Sequence, residues 1–247
     1  RSVFFVIALT FFLISTYKKD TLKIFKDAGY PALVAGLVLS LSFVAYVYAM
    51  TITTVANVVF IISTQTMFLA ITGYIFLKEK ISLISFISIV LAMSGITIMI
   101  GDSILSGSLL GNIIALAIPI NFSILVIIIR KNKNLDMVPA IFYSGIFSLI
   151  YGLILSESYT FSYHDIKMGF LLGVPQLAFG FICITIGSRS TASTTVGLLM
   201  LTETLFAPVW VWLFLNEIPP ISVLIGGAII IGAIILNSFD KNKVRST

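Results

Sequence analysis

The stretch Leu201-Thr202-Glu203-Thr204-Leu205-Phe206-Ala207-Pro208-Val209-Trp210-Val211-Trp212-Leu213-Phe214-Leu215-Asn216-Glu217 decides how this chain is read. It is apolar enough for lipid, carries a carboxylate near its middle, and returns 138 residues earlier as Ser63-Thr64-Gln65-Thr66 through Phe76-Leu77-Lys78-Glu79. Thr202 falls on Thr64, Thr204 on Thr66, Phe206 on Phe68, Phe214 on Phe76, Leu215 on Leu77 and Glu217 on Glu79. The same register continues outward without a gap, Thr191 on Thr53, Ile225 on Ile87, Ile234 on Ile96 and Asp240 on Asp102. Apolar coincidences arise easily in lipid-facing sequence. Coincident Thr, Glu and Asp at a single offset do not, so the pattern predicts an internal duplication, residues 1–103 and 104–247.

With 59% hydrophobic and 10% charged residues and a mean hydropathy of +1.13, the chain has too little polar surface to cover a water-soluble globule. Its charges sit in short clusters between apolar stretches at 3–17, 31–50, 54–77, 81–100, 109–129, 137–155, 166–187, 191–215 and 220–239. Most approach the ~20 residues a helix needs to cross a bilayer, whereas barrel strands would be about half as long and alternate in polarity. The expected class is therefore all-α, a polytopic bundle with nine spans present. Shifting 109–129 back by the repeat offset places its counterpart before Arg1, so a tenth span is expected there, giving two five-helix repeats. Residues 1–17 could also be read as a signal peptide, but no small-x-small cleavage site follows and the segment has a counterpart at 139–155.

Thirteen of the fifteen basic residues fall on one side of the predicted membrane, and only Arg1 and Lys167 opposite. Cytoplasmic loops attract Lys and Arg, so that side is the inside and the C-terminus is cytoplasmic. Five spans per repeat is odd, so equivalent helices cross in opposite directions. Lys78-Glu79-Lys80 lies inside, while Asn216-Glu217-Ile218 at the equivalent point is stripped of lysine and lies outside. Glu79 and Glu217 read as helix-end anchors at the water interface, the alternative being a gating role. The net charge of +5 does not suggest nucleic acid, because the lysines punctuate helices rather than forming a continuous basic surface. The single cysteine, Cys183, excludes a disulfide framework, and no cofactor or metal site is expected.

Glu203 is the one Asp, Glu, Lys, Arg or His deep within a span. A carboxylate there costs roughly 2.5–3.5 kcal/mol on insertion scales, so it faces the bundle interior or an aqueous cavity. It serves either as a proton carrier or cation-recognition group, or as a protonated acid bonded to Thr or Asn across a helix contact. Its mate Gln65 can hydrogen-bond but carries no proton. Asn57, Thr64 and Phe68 recur at seven- and four-residue spacing on one helical face, matched by Thr195, Thr202 and Phe206. These stripes predict a shared mid-membrane cavity, the alternative being interhelical hydrogen bonds of under ~1 kcal/mol each. Gln176 beside Pro175 and Asn121 near Pro119 join the candidates, since proline frees a carbonyl one turn earlier; Pro208 follows Glu203 in the same way. Gly169/Gly173, Ser222/Gly226 and Ala228/Gly232 permit close helix packing, and the last span reads as packing or oligomer surface. Tyr46, Tyr48, Trp210 and Trp212 lie where interfacial aromatic belts are expected.

The five-plus-five spans, the run 201–217 and its mate ending Phe76-Leu77-Lys78-Glu79 resemble the EamA family of the drug/metabolite transporter superfamily. That resemblance implies ten helices with both termini cytoplasmic, a cavity lined by both repeats, and alternating access for small metabolites, often by export. It also implies a bacterial inner (plasma) membrane. The family commonly carries proline soon after the position of Gln65, where this chain has Met67 and Phe68. Its members handle amino acids, purines, nucleotide sugars, cofactors and toxic cations. The expected function is therefore secondary active transport of a small metabolite or drug-like solute, with protons as a candidate coupling ion and a homodimer left open. A pore-like channel or a non-transporting scaffold is the alternative. An intramembrane enzyme would need paired acids, Ser with His, or a His cluster on its spans, and His164, the only histidine, lies in a loop beside Asp165.

Overall fold

A computed structural model describes residues 1–100, 108–155, 162–215 and 221–239. The helices in order are α1 (Ser2–Tyr17), α2 (Thr21–Ile52), α3 (Val55–Ser63), α4 (Gln65–Leu77), α5 (Leu83–Ile100), α6 (Leu109–Lys131), α7 (Val138–Leu155), α8 (Tyr163–Leu171), α9 (Gly180–Gly187), α10 (Ser193–Leu215) and α11 (Ile221–Ser238). A wide π-helical segment, Leu172–Phe179, joins α8 to α9 around Pro175, whose missing N–H removes a bond from the regular ladder. No strand occurs among the described residues. Six helical stretches among them are long and apolar enough to cross a bilayer: Ser2–Ile52, Asn57–Leu77, Leu109–Lys131, Val138–Leu155, Tyr163–Gly187 and Ile221–Ser238. The chain is a helical membrane protein.

Helix bounds recur at the offset read from the sequence. Val55 and Leu77 correspond to Ser193 and Leu215 at 138 residues on, Leu83 and Ile100 to Ile221 and Ser238, and Tyr17 to Leu155. One departure concerns α2, which begins ten residues before the apolar stretch at 31–50. Gly29 interrupts it at φ 49°, ψ −144°, a conformation glycine adopts without a Cβ penalty, so Thr21–Ala28 is a separate lysine-bearing turn of helix ahead of the span.

The chain divides into two compact units, Arg1–Val44 with Ile124–Ser190, and Ala45–Ser123 with Thr191–Thr247. In the first, α1 buries Phe5, Leu9 and Leu13, one stripe at four-residue spacing. Phe5, Phe43 and Phe181 stack edge to face with centroids 5.8 and 5.3 Å apart. Gly169 and Gly173 serve the predicted close approach, for a Cβ on Gly173 would meet the Arg1 carbonyl at 2.6 Å. Asp136 caps α7 through the Val138 N–H at 3.0 Å, and receives the Tyr17 hydroxyl and the Arg189 guanidinium, each at 2.6 Å.

In the second unit α5 and α11 pack so closely that a Cβ on Gly95 would lie 2.8 Å from the Gly226 carbonyl. The Ser85 hydroxyl donates to Asn237 Oδ1 at 3.0 Å along the same seam. Ala92, Ile96, Leu198, Leu201, Ile230 and Ala233 close the core between α5, α10 and α11. Packing is thus the role of Gly226 in α11, while Gly232 faces open space.

Candidate functional site

The stretch 54–77 reads as one span but folds as two helices. α3 starts on a Thr54 cap, whose hydroxyl accepts the Asn57 N–H at 3.2 Å, and stops at Ser63. At Thr64 the chain tightens to a three-residue turn, the Thr64 N–H reaching Ile61 O at 3.1 Å and Met67 N–H reaching Thr64 O at 2.9 Å. No proline is present to cause this. A run of hydroxyls bonds backward to carbonyls at the turn, a pattern that favours bending: Ser63 to Val59 O at 2.8 Å, Thr64 to Ile61 O at 2.6 Å and Thr66 to Ser63 O at 2.8 Å. Met67 and Phe68 therefore do not prevent the interruption that proline brings elsewhere. An interrupted helix inside a span is tolerated where protein covers it or where it lines a cavity.

α10 runs antiparallel along α4 through small residues. A Cβ on Gly197 would sit 2.8 Å from Thr66 Cα, and one on Gly73 would sit 3.0 Å from Ser193 Cβ. Beyond the break, Ser63 Oγ and Thr204 Oγ1 share a hydrogen bond of 3.2 Å. Thr204 is buried against that contact, whereas its neighbour Glu203 is exposed, on one face with Leu199 and Phe206.

The candidates separate accordingly. Gln65 and Thr66 are buried at the break, 5% and 0% exposed, with Thr64 and Phe68 half-buried beside them. Thr195 and Thr202 are half-buried on α10, and the Thr202 hydroxyl bonds its own helix at Leu199 O, 2.7 Å. Asn57, 3% exposed, is drawn into a knot of side chains at the start of α3. Its Nδ2 donates to Thr53 Oγ1 at 3.3 Å and Asn112 Oδ1 at 3.2 Å, while Thr53 Oγ1 donates to Asn112 at 2.7 Å. Gly111 lets α6 approach for this, since its Cβ would meet Thr53 Cβ at 2.7 Å. Asn121 is half-buried on α6 past Pro119, and Gln176 is exposed on the π-helical segment of the first unit. Pro208, Trp210 and Trp212 have side chains outside the described set, and Glu217, Asp102 and Asp240 lie outside the described residues.

Sequence reasoning missed two polar arrangements. Glu79, taken as an interfacial anchor, accepts the Ser193 N–H at 3.0 Å. Asp136, left unassigned, gathers Tyr17, Arg189 and the start of α7; its place two residues before Val138 was a legible capping signal. Chemically, a mid-span carboxylate suits a proton or a cationic group, and the hydroxyl-rich break suits hydrogen-bonding solutes. Among the described residues no group of His, Cys, Asp and Glu is placed to hold a metal ion.

Known proteins resemble the chain over most of its length. Residues 1–101 and 109–239 match the EamA-like transporter family. A Clostridium kluyveri protein described as an uncharacterized transporter is 27% identical over 233 residues, covering 88% of this chain and 74% of that one. One protein of known crystal structure superposes with a TM-score of 0.70 at 12% identity and covers 99% of both chains, a likeness of fold alone. The chain belongs to the EamA-like transporter family.

Proposed function

We infer that this membrane transporter moves a small metabolite or drug-like solute by alternating access, with Glu203 as the proton-carrying or cation-recognising group. The observation that carries the reading is the mid-span break at Thr64, packed against the helix that bears Glu203. Broken helices at mid-depth are where such carriers form sites, because freed backbone groups and nearby hydroxyls replace a solute's water. The recurrence of helix bounds at the sequence offset supports two repeats of opposite topology, 1–103 and 104–247. Lysine placement supports a cytoplasmic C-terminus in a bacterial inner membrane. In this reading Gln65, Thr64, Phe68, Thr195, Thr202 and Phe206 line the pathway, with Asn121 contributing from α6. The knot around Asn57 holds the start of α3.

Metabolite profiling of cells overproducing the protein, with Glu203→Ala as control, identifies the solute. The expected result is a solute whose distribution shifts only with the parent and whose flux in vesicles saturates and shows counterflow. Flux that stays linear in concentration overturns the carrier reading. Proton coupling predicts that Glu203→Gln flattens the pH dependence of transport; an unchanged profile at normal rate removes it.

A further inference from the structure

The repeated ending Phe76-Leu77-Lys78-Glu79 does work that neither the anchor role nor the mid-span site uses. After α4, Lys78 turns left-handed at φ 55°, ψ 30°, and the Glu79 N–H closes back on Gly73 O at 3.1 Å. The turn folds the Glu79 side chain over the last turn of α4, where Oε2 lies 2.8 Å from the point a Cβ on Gly73 would occupy. From there Oε2 accepts the N–H of Ser193 at 3.0 Å. Ser193 is the first residue of α10, whose first-turn N–H groups have no partner within the helix and where the helix dipole is positive. The preceding residue, Ala192, has no side-chain acceptor. A carboxylate just past the end of α4 therefore caps a helix that begins 114 residues later.

The packing of that helix pair is one-sided. α10 follows α4 from Gly73 and Ser193 through Thr66 and Gly197, and touches α3, beyond the break, far less. The lysine-flanked end of the seam is sealed, and Glu79 sits at its mouth.

We propose that Glu79 is a positioning residue for transport: its bond to the start of α10 holds the cytoplasmic end of the α4–α10 seam shut and is released when that end opens. The inference rests on the alternating-access reading above. A half-buried carboxylate on a helix terminus makes a directional closure, broken by separating the two helices rather than by unfolding either.

The test uses full-length protein in membrane vesicles with its exposed Cys183 changed to Ser. One reporter is Ala70→Cys, on α4 at a position 4% exposed; a second, carried separately, is Val55→Cys at the start of α3, 61% exposed. A membrane-impermeant maleimide is applied from each side. Glu79→Ala is expected to raise labelling of the Ala70 reporter from the cytoplasmic side on the order of tenfold, and to lower labelling of the Val55 reporter from the other side. Glu79→Gln falls between, because its amide oxygen still accepts but carries no charge. Ser193→Pro deletes the donor at the one helical position where proline is well tolerated, so it reproduces Glu79→Ala and adds nothing to it in combination. If Glu79→Ala fails to fold, Glu79→Gln and Ser193→Pro carry the test alone. Unchanged labelling at the Ala70 reporter, or additive effects of the two changes, overturns the role of Glu79. A rise there with no reciprocal fall at the Val55 reporter overturns alternating access instead.

Discussion

Gln65 and Glu203 stand 138 residues apart, matched by the offset in the sequence, on two helices that pack together, and the structure treats them oppositely. Gln65 is buried at the start of α4, immediately after a break, whereas Glu203 is exposed on an unbroken α10. The same sequence position thus serves two purposes. On one helix the hydroxyls of Ser63, Thr64 and Thr66 bond back to carbonyls at the interruption. On the other Thr204 is engaged across the seam by Ser63, and the carboxylate next to it is left to face outward from the pair. Two packed helices can therefore hold unequal chemistry, one structural and one ionisable.

The strongest attempt to break this contrast is to exchange the two side chains. Gln65→Glu combined with Glu203→Gln keeps the composition but moves the acid to the buried position; transport of the identified solute is expected to stay at least about tenfold below the parent, the equivalent of about 1.4 kcal/mol. Recovery of the parental rate would show that the two positions are interchangeable. A second attempt wedges the seam apart. Gly197→Leu places its side chain on the Thr66 backbone and should destabilise the protein by about 1–3 kcal/mol, read as a lower unfolding temperature in detergent. Gly232→Leu, with nothing within 4 Å, should leave it unchanged. The smallest effect is expected for Thr204→Val, which removes the bond to Ser63; hydrogen bonds between membrane helices average about 0.6 kcal/mol, so only a slight loss in the same melt is predicted.

Most of the helical layout was legible, because a span needs a run of apolar residues whatever its partners. Leu83–Ile100, Val138–Leu155 and Ile221–Ser238 fall within a few residues of the stretches marked by hydropathy. The break at Thr64 was visible only as a cluster of hydroxyls, since no proline announced it and backward bonding depends on rotamers that sequence does not specify. Asn57 shared a helical face with Thr64 in an ideal helix, and that periodicity lost its meaning once the helix divided between them. The Glu79 motif was conspicuous as a repeat, yet its partner lies on a helix more than a hundred residues on. What stays hidden in each case is a long-range pairing, fixed by which backbones approach closely enough for glycine.

The contact between Gly95 and Gly226 bears on how the second unit can deform. With the Gly95 and Gly226 backbones in close approach and Ser85 bonded to Asn237 further along, α5 and α11 have little room to slide past one another. They form a stiff double plank. Any rearrangement of the second unit that keeps this contact carries α5 and α11 together.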